Sequence, residues 1–300
     1  MIKINNVVKN FSDIKAVDGI NADISEGSVF GLVGTNGAGK STLMRMLAGV
    51  LKPDSGQIII DGMSVYENEE VKKQIIYISD EQYFFPNYTA DECRAFYAGI
   101  YDNYDNELFD ELIGKMGLDK RRKVNTFSKG MKKQLSIILG VCAHPKYLLC
   151  DETFDGLDPV MRQAVKKLFI AMMEDYNMTP IIASHNLREL EDICEHVGLL
   201  HKGGILFNRD LEEMKLNIHK VQCIFKDADG RADFEKNTDI MSTSVRGSMY
   251  TYTIRGGVDE IRARLDDIDM IFYELLPLSL EEIFISETEV VGYDIKNIID

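Results

Sequence analysis

Residues 34–42 read Gly34-Thr35-Asn36-Gly37-Ala38-Gly39-Lys40-Ser41-Thr42. This is G-x-x-x-x-G-K-[ST], a phosphate-binding loop. The glycines let backbone N–H groups curl around phosphate oxygens that a Cβ would obstruct. Lys40 can reach the β- and γ-phosphates, and the Ser41 hydroxyl can ligate Mg²⁺. The loop also dictates its surroundings. Ser28–Val33 before it reads as a buried strand, and Ser41–Ala48 after it reads as a helix whose N-terminus favours anions. Gly34, Asn36, Gly37, Gly39, Lys40, Ser41 and Thr42 are therefore candidate contacts to a nucleotide.

Two later segments complete such a site. Tyr147–Asp151 is an apolar strand ending in a carboxylate, placed to hold Mg²⁺ beside the phosphates. Glu152 follows as the chain leaves the strand. Successive strand residues face opposite ways, so Glu152 can aim elsewhere and orient or deprotonate an attacking water. Pro180–Ser184 is a second apolar strand, and His185 at its carboxyl end can contact the γ-phosphate through a ring N–H.

The rest of the chain predicts a layered α/β protein. Alternation at Ile2, Ile4 and Val7-Val8, then Asn21–Ile24, indicates antiparallel strands leading to the loop strand. Gln57–Ile60 is a strand ending in an Asp61-Gly62 turn, and Ile75–Ile78 is another. Thr89-Ala90-Asp91-Glu92 is a capping box that opens a mostly helical stretch to about Val141, and Val160–Tyr176 has helical spacing. After Asn208 the texture changes. His219–Phe225 and Met249–Ile254 alternate like strands, while Val258–Leu265 and Ser279–Ile285 are helical, the latter opened by a Ser279…Glu282 box.

Composition restricts the partners. The net charge of −15 argues against a protein that tracks nucleic acid, which needs a basic face. Five scattered cysteines without a C-x-x-C pair indicate free thiols in a reducing compartment. Met1–Asn6 lacks a signal-peptide apolar region, and no apolar run approaches the ~20 residues that cross a bilayer. The expectation is a chain inside the cell that does not span a membrane itself.

In this order the motifs resemble the ATP-binding subunit of an ABC (ATP-binding cassette) transporter, within the bacterial ABC-2-type group. Gly34–Ser41 matches the Walker A motif, Tyr147–Asp151 with Glu152 matches Walker B, Asp155-Gly156-Leu157-Asp158 resembles the D-loop, and His185 resembles the switch histidine. The resemblance implies a P-loop NTPase core with a mixed sheet, an antiparallel β subdomain and a helical subdomain at about 88–145. These make up a cassette over 1–215, with a small α+β appendage over 216–300. ATP and Mg²⁺ are the implied cofactors. Phe11 sits where the family stacks an aromatic on adenine, with a core or edge aromatic as the rival reading.

The family signature L-S-G-G-Q is degenerate here, reading Phe127-Ser128-Lys129-Gly130-Met131. The resemblance implies that Ser128 and Gly130 touch ATP bound by a second cassette, homologous or identical. The helix Lys132–Val141 would then point its positive end at the γ-phosphate. Lys129 either adds charge there or faces solvent. The family's Gln after the Ile75–Ile78 strand falls on Asp80, with Gln82 two residues late, so either Asp80 ligates the metal or Gln82 reaches in. Tyr83–Tyr88 holds four aromatics and either receives a membrane partner or packs the helical subdomain. Lys120–Lys123 is read as a solvated helix end rather than a lipid contact. The function implied is an ATPase motor at the cytoplasmic face of the membrane, paired with separate permease chains and serving an exporter. The alternative is a soluble ATPase acting on ribosomes or nucleic acid.

Overall fold

The computed structural model describes residues 1–290, so the last ten residues of the expected appendage lie outside it. The chain clusters into two compact units that divide between Asn208 and Arg209.

The first unit opens with long antiparallel strands β1 (Ile2–Phe11) and β2 (Ile14–Ile24). The chain then dives through β3 (Phe30–Val33), buried at all four residues, into the glycine loop and helix α1 (Lys40–Leu47). Strands β4 (Ser55–Ile60) and β5 (Met63–Ser64) return to the first sheet, whose order is β2-β1-β4-β5. Between them Asp61 and Gly62 take φ of 50° and 83°, the paired positive values of a two-residue hairpin turn.

A short helix α2 (Glu69–Lys72) leads into β6 (Ile75–Ile78). The expected mostly helical stretch consists of α3 (Ala90–Ala98), α4 (Asn106–Lys115) and α5 (Lys129–Val141). Thr89 and Glu92 form the reciprocal capping box, and Asp105 caps α4. Helix α5 begins three residues before the expected Lys132, because the Ser128 hydroxyl accepts the Met131 N–H at 3.1 Å and so starts the helix at Lys129.

Strand β7 (Tyr147–Asp151), helix α6 (Pro159–Tyr176), strand β8 (Thr179–Ser184), helix α7 (Leu187–Glu191) and strands β9 (His196–His201) and β10 (Gly204–Asp210) complete the unit. The second sheet has the order β10-β9-β3-β8-β7-β6, with β9, β3, β8, β7 and β6 parallel. β7 and β8 are buried at every residue, as strands covered on both faces must be. Helix α1 carries Leu43, Met44 and Leu47 into one core with Ile2, Ile4, Ile58 and Ile60 of the first sheet and Leu32, Leu149 and Ile181 of the second. Each such side chain contributes about 1.5–3 kcal/mol on burial. All carboxyl ends of the parallel strands open on one edge, where α/β proteins place ligands.

The second unit runs α8 (Leu211–Asn217), β11 (Ile218–Phe225), α9 (Ala228–Lys236), β12 (Asp239–Arg246), β13 (Met249–Arg255), α10 (Val258–Asp267), β14 (Met270–Leu276) and α11 (Leu280–Val290). Its antiparallel sheet, β12-β13-β11-β14, with helices after the first and third strands, is a ferredoxin-like β-α-β-β-α-β arrangement. Val221, Phe234, Tyr252 and Leu265 anchor its separate core. Ser279 and Glu282 make the expected capping box.

In the β4–β5 turn, burial alone would raise the Asp61 carboxyl. Hydrogen bonds from Lys146, the N-terminal amine and Tyr147 outweigh it and hold the group at about 2 against an ordinary 3.8. A depressed folded value contributes stability that is present above 3.8 and is lost as pH falls toward 2. Asp61→Asn, which tolerates the positive φ, is expected to lose about 1–2 kcal/mol at pH 7. Thermal melts across pH should show that deficit closing between the ordinary value of 3.8 and about 2.

Candidate functional site

The glycine loop closes against its own unit. Gly39, at φ 106°, caps α1, and a Cβ there would lie 2.3 Å from the Ala16 carbonyl oxygen, so only glycine fits. The Gly203 N–H donates to the Ala38 carbonyl at 3.1 Å, and the Asp18 N–H donates to the Gly203 carbonyl at 2.8 Å. Asn36 and Gly37 stand exposed on the rim, while Gly34 is buried behind them. The first-turn N–H groups of α1, from Lys40 through Thr42, have no partner within the helix and face the loop's mouth.

Lys40 is 5% exposed, and its ammonium donates to the carbonyls of Gly34 at 2.7 Å and Thr35 at 3.3 Å. It also lies 3.2 Å from Glu152 Oε1. The other carboxylate oxygen, Oε2, is 2.8 Å from His185 Nδ1 and accepts the His185 backbone N–H at 3.4 Å. Three residues drawn from three segments thus form one connected set. Glu152 stands at φ 49°, a left-handed conformation that a non-glycine residue adopts only when its surroundings enforce it. His185 is fixed from behind: Ser184 Oγ accepts the Asn186 N–H at 2.9 Å and donates to the buried Glu189 at 2.9 Å.

Beside this set, Asp151 is 1% exposed. The Ser41 hydroxyl donates to its Oδ1 at 3.1 Å and the Tyr77 hydroxyl to its Oδ2 at 3.0 Å. Burial pushes the Asp151 carboxyl above the usual range, against the lowering effect of those two hydrogen bonds. Burial, with the Asp151 charge, likewise pushes Tyr77 up to about 12, so it stays a neutral donor. A hydroxyl next to a desolvated carboxylate is a hard-oxygen pair with unmet demand for a cation, and it fits Mg²⁺ shared with substrate phosphates.

Other expected residues lie apart from the set. Asp80 pairs with Lys133, whose Nζ is 3.2 Å from its Oδ1, and not with Ser41 or Asp151. The Gln82 side chain donates to the carbonyls of Ser79 and Asp80 at 2.9 and 2.8 Å. Among the described residues no hydrogen bond joins Ser128 or Gly130 to the glycine loop. Ser128 caps α5, and Gly130 faces the Gly156 carbonyl. Lys129 pairs with Asp155 at 3.3 Å while remaining largely exposed. Phe11, at the end of β1, is 46% exposed with Lys9 over its ring.

Two residues of the site were missed in the sequence, Tyr77 and Lys133. Lys133 is fully buried and donates to the Glu152 carbonyl at 2.5 Å. The signal was present, because Lys133 occupies the same helical stripe as Ile137 and Gly140. Near the strand ends a groove of about 300 Å³, mixed in polarity and rich in aromatic rings, is lined by Tyr77, Gln82, Tyr83, Phe85, Phe96 and Tyr97. Phe85 contacts Tyr88 and Phe96 with centroids 5.0 Å apart, yet Tyr83 remains 79% exposed.

The sequence profile of the ABC transporter family matches residues 17–155. The "ABC transporter ATP-binding protein YtrB" of Bacillus subtilis (strain 168) is 30% identical over 96% of this chain and 98% of its own length. The "Bacitracin transport ATP-binding protein BcrA" of Bacillus licheniformis is 35% identical over 72% of this chain and 71% of its own. A solved ATP-binding subunit of an ABC transporter superposes with a TM-score of 0.64 over 72% of this chain and 92% of its own, at 22% identity.

A folded group that, like Asp151, holds its proton more tightly than the unfolded one contributes stability below its ordinary 3.8, and that stability is lost as pH rises through the raised value. At pH 7 the buried charge therefore works against the fold. Asp151→Asn should raise the melting temperature in the absence of Mg²⁺ by a few degrees, while Mg²⁺-dependent ATP hydrolysis falls about 100-fold or more. Calorimetry and a phosphate-release assay read the two effects.

Proposed function

This chain belongs to the ABC transporter family as an ATP-binding subunit and is an ATPase, and we propose that Glu152 is the carboxylate that activates the attacking water. The carrying observation is the Lys40–Glu152–His185 set at the mouth of the glycine loop. Without phosphate nearby, Lys40 neutralises Glu152. Phosphate oxygens entering the loop compete for that ammonium and free Glu152 to take a proton. Water then attacks the γ-phosphorus, the bond from that phosphorus to the bridging oxygen breaks, and the water proton passes to Glu152. ADP and phosphate leave. His185 holds the carboxylate by its other oxygen and offers a ring nitrogen toward the developing charge. Ser41 and Asp151 would hold Mg²⁺, which supplies charge neutralisation to the phosphates when bound. The loop N–H groups from Gly34 to Thr42 would cradle the phosphates, and the exposed Phe11 ring is available to stack on adenine.

Among the described residues, Ser128 and Gly130 make no hydrogen bond to this chain's own glycine loop, which supports a paired arrangement. They start α5, whose N-terminus can serve ATP held by a second cassette, from an identical or a different chain. The aromatic groove suits an apolar segment of a membrane-spanning permease, for which an otherwise acidic surface has no use. No helix among the described residues is long and apolar enough to cross a membrane, so the translocation path would come from those permease chains and this subunit would sit at the cytoplasmic face. Similarity to a subunit named for bacitracin transport supports an exporter. The acidic net charge gives no support to a ribosome- or nucleic-acid-bound role.

Glu152→Gln should bind ATP with unchanged affinity, turn over about 100-fold more slowly and accumulate an ATP-bound dimer visible by gel filtration. A variant that turns over at the wild-type rate removes Glu152 from the role. Affinity purification of the chain from its own membranes should recover a polytopic protein, and Tyr83→Asp with Phe85→Asp should lose it. Recovery with ribosomes instead would overturn the transporter assignment.

A further inference from the structure

Lys133 is a fully buried cation that the hydrolytic scheme does not use. Its ammonium donates to the backbone carbonyl of Glu152 at 2.5 Å and pairs with Asp80 at 3.2 Å. Glu152 is consequently held at every polar atom. Its N–H donates to the Ala183 carbonyl at 2.9 Å, its carbonyl accepts the Lys133 ammonium at 2.5 Å and, less closely, the Asp155 N–H at 3.3 Å, and its two carboxylate oxygens take Lys40 and His185. A residue at φ 49° relaxes unless it is so constrained, and relaxation would swing the carboxylate away from the loop.

The Asp155 N–H is a neutral and longer donor to this carbonyl, and Lys133 is the closer one. A lysine adds a second requirement, because a buried ammonium needs an anion kept beside it. The carboxylate in contact with it is Asp80, with the Asp155 charge acting on it as well; Asp80 is half-exposed and sits between β6 and Tyr83, where the chain enters the aromatic groove. We propose that Lys133 is a positioning residue that fixes the backbone of Glu152 and ties it electrostatically to the groove loop through Asp80. Movement of that loop withdraws the counter-ion of Lys133 and loosens the Glu152 carbonyl. The tether rests on the reading of Glu152 as the activating carboxylate.

The test is steady-state ATP hydrolysis by the full chain carrying Lys133→Met, Lys133→Arg, Asp80→Ala and the Lys133→Met/Asp80→Ala pair, with Glu152→Gln beside them. Lys133→Met is expected to lower kcat about 10-fold or more with KM for ATP within about twofold of wild type, and Lys133→Arg to recover most of the loss. Asp80→Ala should lower kcat about threefold at an unchanged Mg²⁺ midpoint, and the double variant should be no slower than Lys133→Met alone. Wild-type kcat in Lys133→Met overturns the tether, as do independent, multiplying effects of the two substitutions. A Mg²⁺ midpoint shifted in Asp80→Ala would return Asp80 to the metal and also overturn it. Should Lys133→Met fail to fold, Asp80→Ala still decides, since its half-exposed side chain leaves the core intact and unchanged turnover there refutes the coupling. Full turnover in Glu152→Gln would instead refute the catalytic reading itself.

Discussion

Charge held out of water at the carboxyl ends of the parallel strands governs this molecule. Lys40, Asp151 and Lys133 are almost wholly buried within a few residues of one another in the fold. Each would be expensive alone. Lys40 and Lys133 are tolerable because backbone carbonyls and the carboxylates of Glu152 and Asp80 meet them. Asp151 is met by two hydroxyls and by the Arg45 charge, and burial still holds its carboxyl above the usual range. The two sheets, the core helix α1 and the fully buried strands β7 and β8 exclude water from one side of these groups and leave the other side open.

The nucleotide site and the aromatic groove share a residue. Tyr77 donates to Asp151 with its hydroxyl and lines the aromatic groove with its ring. The loop after it carries first Asp80 and then the exposed aromatics. The carboxylate-bearing site and the exposed aromatics thus stand at the two ends of one short segment.

What the sequence made legible was local. The glycine loop, the strand-terminal Asp151-Glu152, the capping boxes at Thr89 and Ser279 and the Asp61-Gly62 turn each depend on neighbours within a few positions, so their residue types announce them. The start of α5 was misplaced because the cap at Ser128 looked like part of a binding motif rather than a helix boundary. Tyr77 and Lys133 escaped because their meaning lies in partners 74 and 19 residues away. The fate of Asp80 was also non-local. Its carboxylate is met by Lys133 of α5, a partner 53 residues along the chain.

The stitching of the glycine loop to Ala16 on one side and Gly203 on the other reaches into protein synthesis. Asp151 and His185 must also arrive before the mouth is complete. These are contacts of long sequence separation, which form after local helices and hairpins. A nascent chain exposing the loop at residue 40 therefore lacks a finished receptor for nucleotide until residue 203 has left the ribosome. ATP then stabilises the completed unit in preference to its fragments.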